Sequence, residues 1–190
     1  MMPSTPRIAP LPESEWTDEA RTVIEPTKAL SGGQVFNVFS TLAHHPKLLK
    51  HWMVFANHIL AKSTLSARDR ELLILRAGWL CGSEYEWAQH VVIGKMAGLT
   101  EEEIDRVADG PDAPGWSKED ATLLRAADEL KRDSCLSDAT WAALRERYST
   151  EQILDLIFTV GQYAMLAGAL NSLGVEIDAT VPRPKRSPRR

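Results

Sequence analysis

Several polar or ionisable residues stand out in an otherwise mostly apolar stretch of this sequence, residues 66–99. Among them are Glu71, Arg76, Ser83, Glu86 and His90. Acids and histidines are rarely buried in helices unless they are paired or take part in chemistry. We therefore expect any chemical site of this protein to lie in this stretch.

The spacing of these residues suits general acid–base chemistry. Glu86 and His90 are four residues apart, so on a helix their side chains face the same way. Ser83 begins that helix, where free backbone N–H groups and the helix dipole favour negative charge. The preceding helix turns back near Cys81, and a tight antiparallel return would bring Glu71 toward His90. Two carboxylates, an imidazole and an anion-attracting helix end would then share one cleft.

A structural interpretation accounts for the same residues. Ser83 followed by Glu86 matches the capping-box pattern, which satisfies the first backbone N–H groups of a helix. Glu71 can pair with an arginine, and His90 can be a hydrogen-bonded histidine on an interior helix face. The spacing leaves both interpretations open, because structural ion pairs also occupy such positions.

The elements that must position these residues are helices. Helical periodicity runs through nearly the whole chain, and no segment alternates strictly between apolar and polar residues. N-cap residues predict helices after Ser66, Ser117 and Ser137, and Gly98 and Gly174 end two others. The sequence predicts an all-α domain of about seven or eight helices.

Length and composition limit the functional class. A chain of 190 residues with net charge −4 suits one domain with a sizeable core and does not indicate a nucleic-acid-binding body. Charge or glycine interrupts the longest apolar runs, and the N-terminus lacks the apolar core of a signal peptide, which favours the cytoplasm. We expect one domain over residues 1–181 and a disordered basic tail over 182–190.

Metal and disulfide chemistry have little support in the sequence. Cys81 and Cys135 are too few for a disulfide scaffold. There is no Cys/His cluster or HExxH pattern, so we expect no metal site. His51 and His58 share a helix face, and surface or capping roles account for them.

Residues 37–98 resemble the core of the carboxymuconolactone decarboxylase family, whose superfamily also contains the alkylhydroperoxidase D proteins. The resemblance rests on RELLILR at 70–76, on residues 81–90 and on AGLT at 97–100. It continues in looser form to residues 171–176. It implies an alkylhydroperoxidase D-like helical domain that assembles into trimers or hexamers.

The redox branch of this family uses a Glu, a Cys-x-x-Cys pair and a His four residues after the second Cys. The corresponding residues here are Glu71, Ser83, Glu86 and His90, so both thiols are absent. Thiol–disulfide exchange requires a thiolate, so the resemblance disfavours that role. A hydroperoxide or disulfide reductase that uses Cys81 remains an alternative.

The decarboxylase branch lacks the cysteine pair and fits better. It implies a cofactor-free lyase acting on a small carboxylated lactone or related carbonyl acid from the catabolism of aromatic compounds. Loss of CO2 leaves electrons that must spread into the carbonyl, and a carbon must then be protonated. The helix end at Ser83 could supply N–H donors, and the acid–base candidates are Glu71, Glu86 and His90.

Two further residues have an open role. Arg76 could anchor the carboxylate of an acidic substrate or form a buried structural pair. Trp87 could form a wall of the substrate pocket or part of the core. A last alternative is a non-enzymatic, oligomeric binding protein whose polar cluster is purely structural. In every case we expect partners among small acidic molecules and copies of the same chain, and neither a membrane nor nucleic acid.

Overall fold

Nine α-helices form the fold of the residues that the structure, a computed structural model, describes, which are 5–30 and 32–188. No strand occurs among them. This confirms the all-α prediction. The helices are α1 Asp18–Ile24, α2 Asn37–Leu42, α3 Pro46–Asn57, α4 Ala67–Leu80, α5 Glu84–Met96, α6 Glu101–Asp109, α7 Lys118–Asp133, α8 Asp138–Arg147 and α9 Thr150–Leu173.

The helix ends follow from local side-chain chemistry. The hydroxyls of Ser66, Ser117 and Ser137 each accept a backbone N–H from the residue three positions on, as predicted. Thr100 and Ser149 complete reciprocal capping boxes at the starts of α6 and α9. Each cap satisfies backbone donors that the first turn of a helix leaves free.

Two helices, α1 and α3, continue into segments of a different helical geometry. After Ile24 the chain tightens into a 3₁₀ segment, Glu25–Leu30, because Pro26 has no N–H to continue an α-helix. After Asn57 the chain widens into one π turn, His58–Lys62. Such turns interrupt regular helices where side-chain packing demands it.

The helix α4 lies at the centre of the domain. It packs against α5, α6, α7 and α9, and every residue from Glu71 to Gly78 is buried. A helix surrounded on all sides has no solvent face for charged residues. Each charged side chain on α4 therefore needs a partner within the protein.

The long helix α9 is apolar enough to resemble a membrane span. An 18-residue window within it has a mean hydropathy of 1.6, which passes a membrane test by length and composition alone. The sequence predicts no such helix, because charge or glycine interrupts its longest apolar runs. Half of that window is buried inside the protein, as in a core helix.

The basic C-terminal segment lies against the helical body as far as the structure describes it, to Pro188. Arg186 pairs with Asp109 of α6 at 2.8 Å, and Pro188 is buried. These contacts differ from the solvated terminus that the composition predicts.

Candidate active site

Glu71 and His90 meet in the interior, between α4 and α5. The Oε2 atom of Glu71 is 2.7 Å from Nδ1 of His90. The two helices are antiparallel because the chain reverses at Gly82, whose φ of +61° is in the left-handed region that favours glycine. The tight return predicted near Cys81 therefore forms and brings the acid to the imidazole.

The second oxygen of Glu71 is paired with a residue that the sequence analysis did not single out. Nε of Arg70 donates to Oε1 at 3.2 Å, and Glu71 has no exposed surface. A carboxylate held in this way only accepts, so its contact with His90 places a proton on Nδ1. Nε2 of His90 makes no hydrogen bond to the described part of the chain. That nitrogen is available for chemistry.

Tyr163 of α9 packs edge-on against the imidazole and was also missed from the sequence. The ring centroids of His90 and Tyr163 are 4.8 Å apart, with an angle of 87° between the planes. Burial, together with the nearby charges of Glu71 and Glu86, raises the pKa of Tyr163 well above its ordinary value. Tyr163 therefore stays neutral and restricts the orientation of the His90 ring.

The Glu86 carboxyl is buried, and neither of its oxygens accepts a hydrogen bond from a described residue. Ser83 caps α5 by accepting the backbone N–H of Glu86 at 3.4 Å. The Glu86 carboxyl does not complete the capping box, because both of its oxygens are closed off from solvent and neither has a partner among the described residues. Burial raises the pKa of Glu86 well above its ordinary value, and the Ser83 hydroxyl opposes this only in part. The environment thus favours the neutral carboxylic acid.

Arg76 is held apart from this cluster. Its guanidinium donates to both oxygens of Asp128, at 2.6 and 3.0 Å. It also donates to the carbonyl oxygens of Val107 and Ala108, at 2.8 and 3.2 Å, where α6 ends. These contacts match the structural alternative for Arg76.

Trp87 and Cys81 are enclosed by the core. Trp87 is 1% exposed and packs edge-on against Trp79 at 5.0 Å, so it has almost no surface to offer a substrate. Cys81 is buried and Cys135 is exposed, and neither forms a disulfide bond. A buried thiol is poorly placed for attack on a peroxide.

Other polar groups form structural pairs or surface features. His58 contacts Asp155 at 2.9 Å and is half exposed. Within residues 5–30 and 32–188, no group of three or more His, Cys, Asp or Glu side chains could hold a metal ion. A surface cleft of about 380 Å³ lies away from the cluster, and its lining includes Pro10, Trp16 and Val35.

Comparison with known proteins confirms the family resemblance. Residues 46–129 match the carboxymuconolactone decarboxylase family, and this segment contains all four residues of the predicted cluster: Glu71, Ser83, Glu86 and His90. Among proteins with curated descriptions, none matches the chain.

Solved structures share the fold. A peroxidase-related protein with an alkylhydroperoxidase AhpD core, from Ralstonia eutropha JMP134, is 22% identical with a TM-score of 0.80, over 90% of this chain and 93% of that one. A peroxidase-related protein from Silicibacter sp. TM1040 is 19% identical with a TM-score of 0.81, over 95% and 96% of the two chains. The debrominase Bmp8, in complex with 2,3,4-tribromopyrrole, is 14% identical with a TM-score of 0.77, over 93% and 94%. The described fold is thus alkylhydroperoxidase D-like.

Proposed function

With the resemblance to the carboxymuconolactone decarboxylase family confirmed over residues 46–129, we propose that this protein is a cofactor-free decarboxylase. Its substrate is a small carboxylated lactone or a related carbonyl acid, and it works in the cytoplasm in the catabolism of aromatic compounds. The bond between the substrate carbon and its carboxylate breaks, and CO2 leaves. The electron pair spreads into the conjugated carbonyl, and a proton is then delivered to carbon.

His90 is the residue that handles the proton. Glu71 fixes the imidazole with one proton on Nδ1, which leaves Nε2 to take up a second proton and deliver it to the substrate carbon. Arg70 keeps the Glu71 carboxylate in place from its other oxygen. Glu71 is therefore a positioning residue behind His90.

Glu86 is the reserve acid. It precedes His90 by one helical turn, and its buried environment favours the protonated carboxyl. In that form it can replace the proton that His90 gives up. The N-terminus of α5 at Ser83 supplies the positive end of a helix dipole toward the anionic intermediate.

The observation that carries this proposal is the contrast between two buried carboxyls on neighbouring helices. Glu71 is fully paired, whereas Glu86 has no partner among the described residues. A paired carboxylate bonded to the imidazole and an unpaired carboxyl one helical turn before it on α5 provide the two protonation states that acid–base catalysis requires.

The enclosure of Glu86 also favours a second candidate, a non-enzymatic binding protein. Both carboxyl oxygens are closed off from solvent, so a substrate reaches Glu86 only if the helices move apart. If they do not, the cluster serves only packing.

We also propose that copies of the chain associate as a trimer or hexamer. Leu154, Phe158 and Met165 lie on α9 and are 52, 55 and 57% exposed. Their spacing of four and seven residues puts them on one helix face, which is suited to burial against another chain. Light scattering of the purified protein checks this, and Phe158→Asp should shift it toward the monomer.

Release of CO2 from a panel of small carboxylated lactones tests the enzymatic proposal. The parent protein should turn over at least one of them, and His90→Gln should lower kcat by about 10²–10⁴-fold. His58→Gln is the matched control, because His58 is half exposed and pairs with Asp155 instead. If His90→Gln changes stability but no substrate is turned over by the parent, the binding protein becomes the better account.

A further inference from the structure

The residues after the last helix return across the helical body as a non-helical segment, residues 181–188, here called the strap. Its anchor is Arg186, whose guanidinium donates to the Asp105 carbonyl oxygen at 2.7 Å and to the Asp109 carboxylate at 2.8 Å. The same guanidinium lies 5.3 Å from the ring centroid of Trp79, within the range of a cation–π contact. One side chain thus joins the strap to both α6 and α4.

The composition of the strap suits docking. Pro182, Pro184 and Pro188 have no N–H to satisfy, and they restrict the unfolded chain, so less conformational entropy is lost on ordering. Two of its basic side chains contact the acidic helix α6: Arg186 pairs with Asp109, and Nζ of Lys185 is 3.3 Å from Glu101. The prolines and basic residues that predict a disordered tail therefore also favour a tail that binds to the acidic helix α6.

The strap completes the hydrogen bonding of Trp87. Nε1 of this buried indole donates to the Arg186 carbonyl oxygen at 2.7 Å. A buried donor that loses its acceptor is costly, so displacing the strap also disturbs the indole. Trp87 directly follows Glu86 in the first turn of α5. The strap therefore holds the turn of the helix that carries Glu86.

We propose that Arg186 is a positioning residue for the acid–base cluster. By anchoring the strap it fixes Trp87, and through Trp87 it fixes the first turn of α5 and the His90 ring one turn further on. Arg186 itself touches no substrate. This inference rests on the proposed function for its catalytic meaning, while its structural part can be measured without any substrate.

The first test follows the Trp87 indole N–H by NMR hydrogen exchange. Arg186→Ala removes the anchor and keeps the backbone, so exchange of the Trp87 indole should become about tenfold faster through local opening. The indole of Trp16, bonded to the Leu11 carbonyl at 3.0 Å, is the internal reference and should not change. Arg183→Ala is the matched control, because Arg183 is exposed and makes no hydrogen bond or ion pair with a described residue. Unchanged exchange at Trp87 in Arg186→Ala would overturn the inference.

The second test separates positioning from simple docking. The His90 ring signals in NMR spectra at one fixed pH should shift in Arg186→Ala and stay at the parent positions in Arg183→Ala. Arg186→Lys should recover part of the effect, because an ammonium keeps the charge but not the planar set of donors. If Trp87 exchanges faster but the His90 ring signals stay at the parent positions, the strap is only a structural contact and the proposal is wrong.

Turnover then distinguishes this inference from the proposed function. With an active parent, Arg186→Ala should lower kcat by more than it changes KM, because the substrate contacts remain. If the parent protein releases no CO2 but both NMR effects occur, the decarboxylase proposal is wrong. The proposal that Arg186 positions His90 is then still supported.

Discussion

Buried charge is treated differently on the two sides of α4. Toward α6 and α7, each charged side chain is matched: Arg76 pairs with Asp128, and Arg68 bonds Asp120 and Glu103. Such networks keep helices in register, and they give each of these charged groups a hydrogen-bond partner in the low-dielectric interior. This side of α4 is built for structure.

Toward α5 and α9, the matching is incomplete. Glu71 is paired with Arg70 and His90, yet the neighbouring Glu86 has no partner among the described residues. An unsatisfied buried carboxyl lowers stability, so its presence needs a reason beyond packing. The two sides of α4 therefore differ: the network toward α6 and α7 is fully matched, whereas the cluster toward α5 includes one buried carboxyl without a partner among the described residues.

The largest effect is expected from the carboxylate behind the imidazole. Glu71→Gln should lower kcat for CO2 release by on the order of 10²–10⁴-fold, because an amide can hold His90 with the wrong nitrogen protonated. Steady-state kinetics on the folded variant measures this. Full activity in Glu71→Gln would contradict a catalytic role for the cluster between α4 and α5.

On the side of α4 that faces α6 and α7, a substitution should change the stability of the protein and not its activity. Arg76→Met leaves Asp128 and two carbonyl oxygens of α6 without their donor, which should cost about 3–5 kcal/mol of unfolding free energy. Urea denaturation measures the loss, and kcat per folded molecule should stay close to the parent value. A large drop in that kcat would assign Arg76 to the substrate after all.

The unpaired Glu86 carboxyl should make the free energy of unfolding depend on pH. Its pKa is raised in the folded protein, so the stability present below the unfolded-state pKa is lost as pH rises toward the folded value. Glu86→Gln removes this loss and should gain about 1–2 kcal/mol at pH 8 and nothing near pH 4. Denaturation curves at the two pH values give the difference, with Glu84→Gln, in the same helical turn, as the control.

The smallest effect is expected from the hydroxyl of Tyr163. Tyr163→Phe keeps the edge-on ring contact with His90, so it should change stability by less than about 1 kcal/mol. Tyr163→Leu removes that contact and should broaden the His90 ring signals in NMR spectra. Equal spectra in both variants would show that the ring does not restrict the imidazole.

Local signals made much of this fold predictable. The caps at Ser66, Ser117 and Ser137 depend on residues three positions away, so the sequence contains both partners of each hydrogen bond. The contact between Glu71 and His90 could also be predicted from the sequence. A tight turn between two antiparallel helices fixes which residues of the second helix lie beside those of the first.

The rest depended on contacts between distant segments. Nothing near Tyr163 in the sequence indicates that it reaches His90, because α9 follows α5 by more than fifty residues. The capping-box pattern at Ser83 was half wrong for a similar reason. Burial closed both Glu86 oxygens off from solvent, and the pattern of four residues cannot show what packs against them.

The central place of α4 sets the order in which the molecule can be completed during synthesis. Its partners include α5, which follows directly, and α9, which begins 70 residues after α4 ends. Until then the nascent chain carries an apolar helix without its full cover, which is the condition that recruits chaperones and favours aggregation. The indole N–H of Trp87 gains its acceptor later still, when the Arg186 carbonyl has been synthesised. A chain shortened before Arg186 would therefore contain every described helix and still leave the buried Trp87 indole without its acceptor.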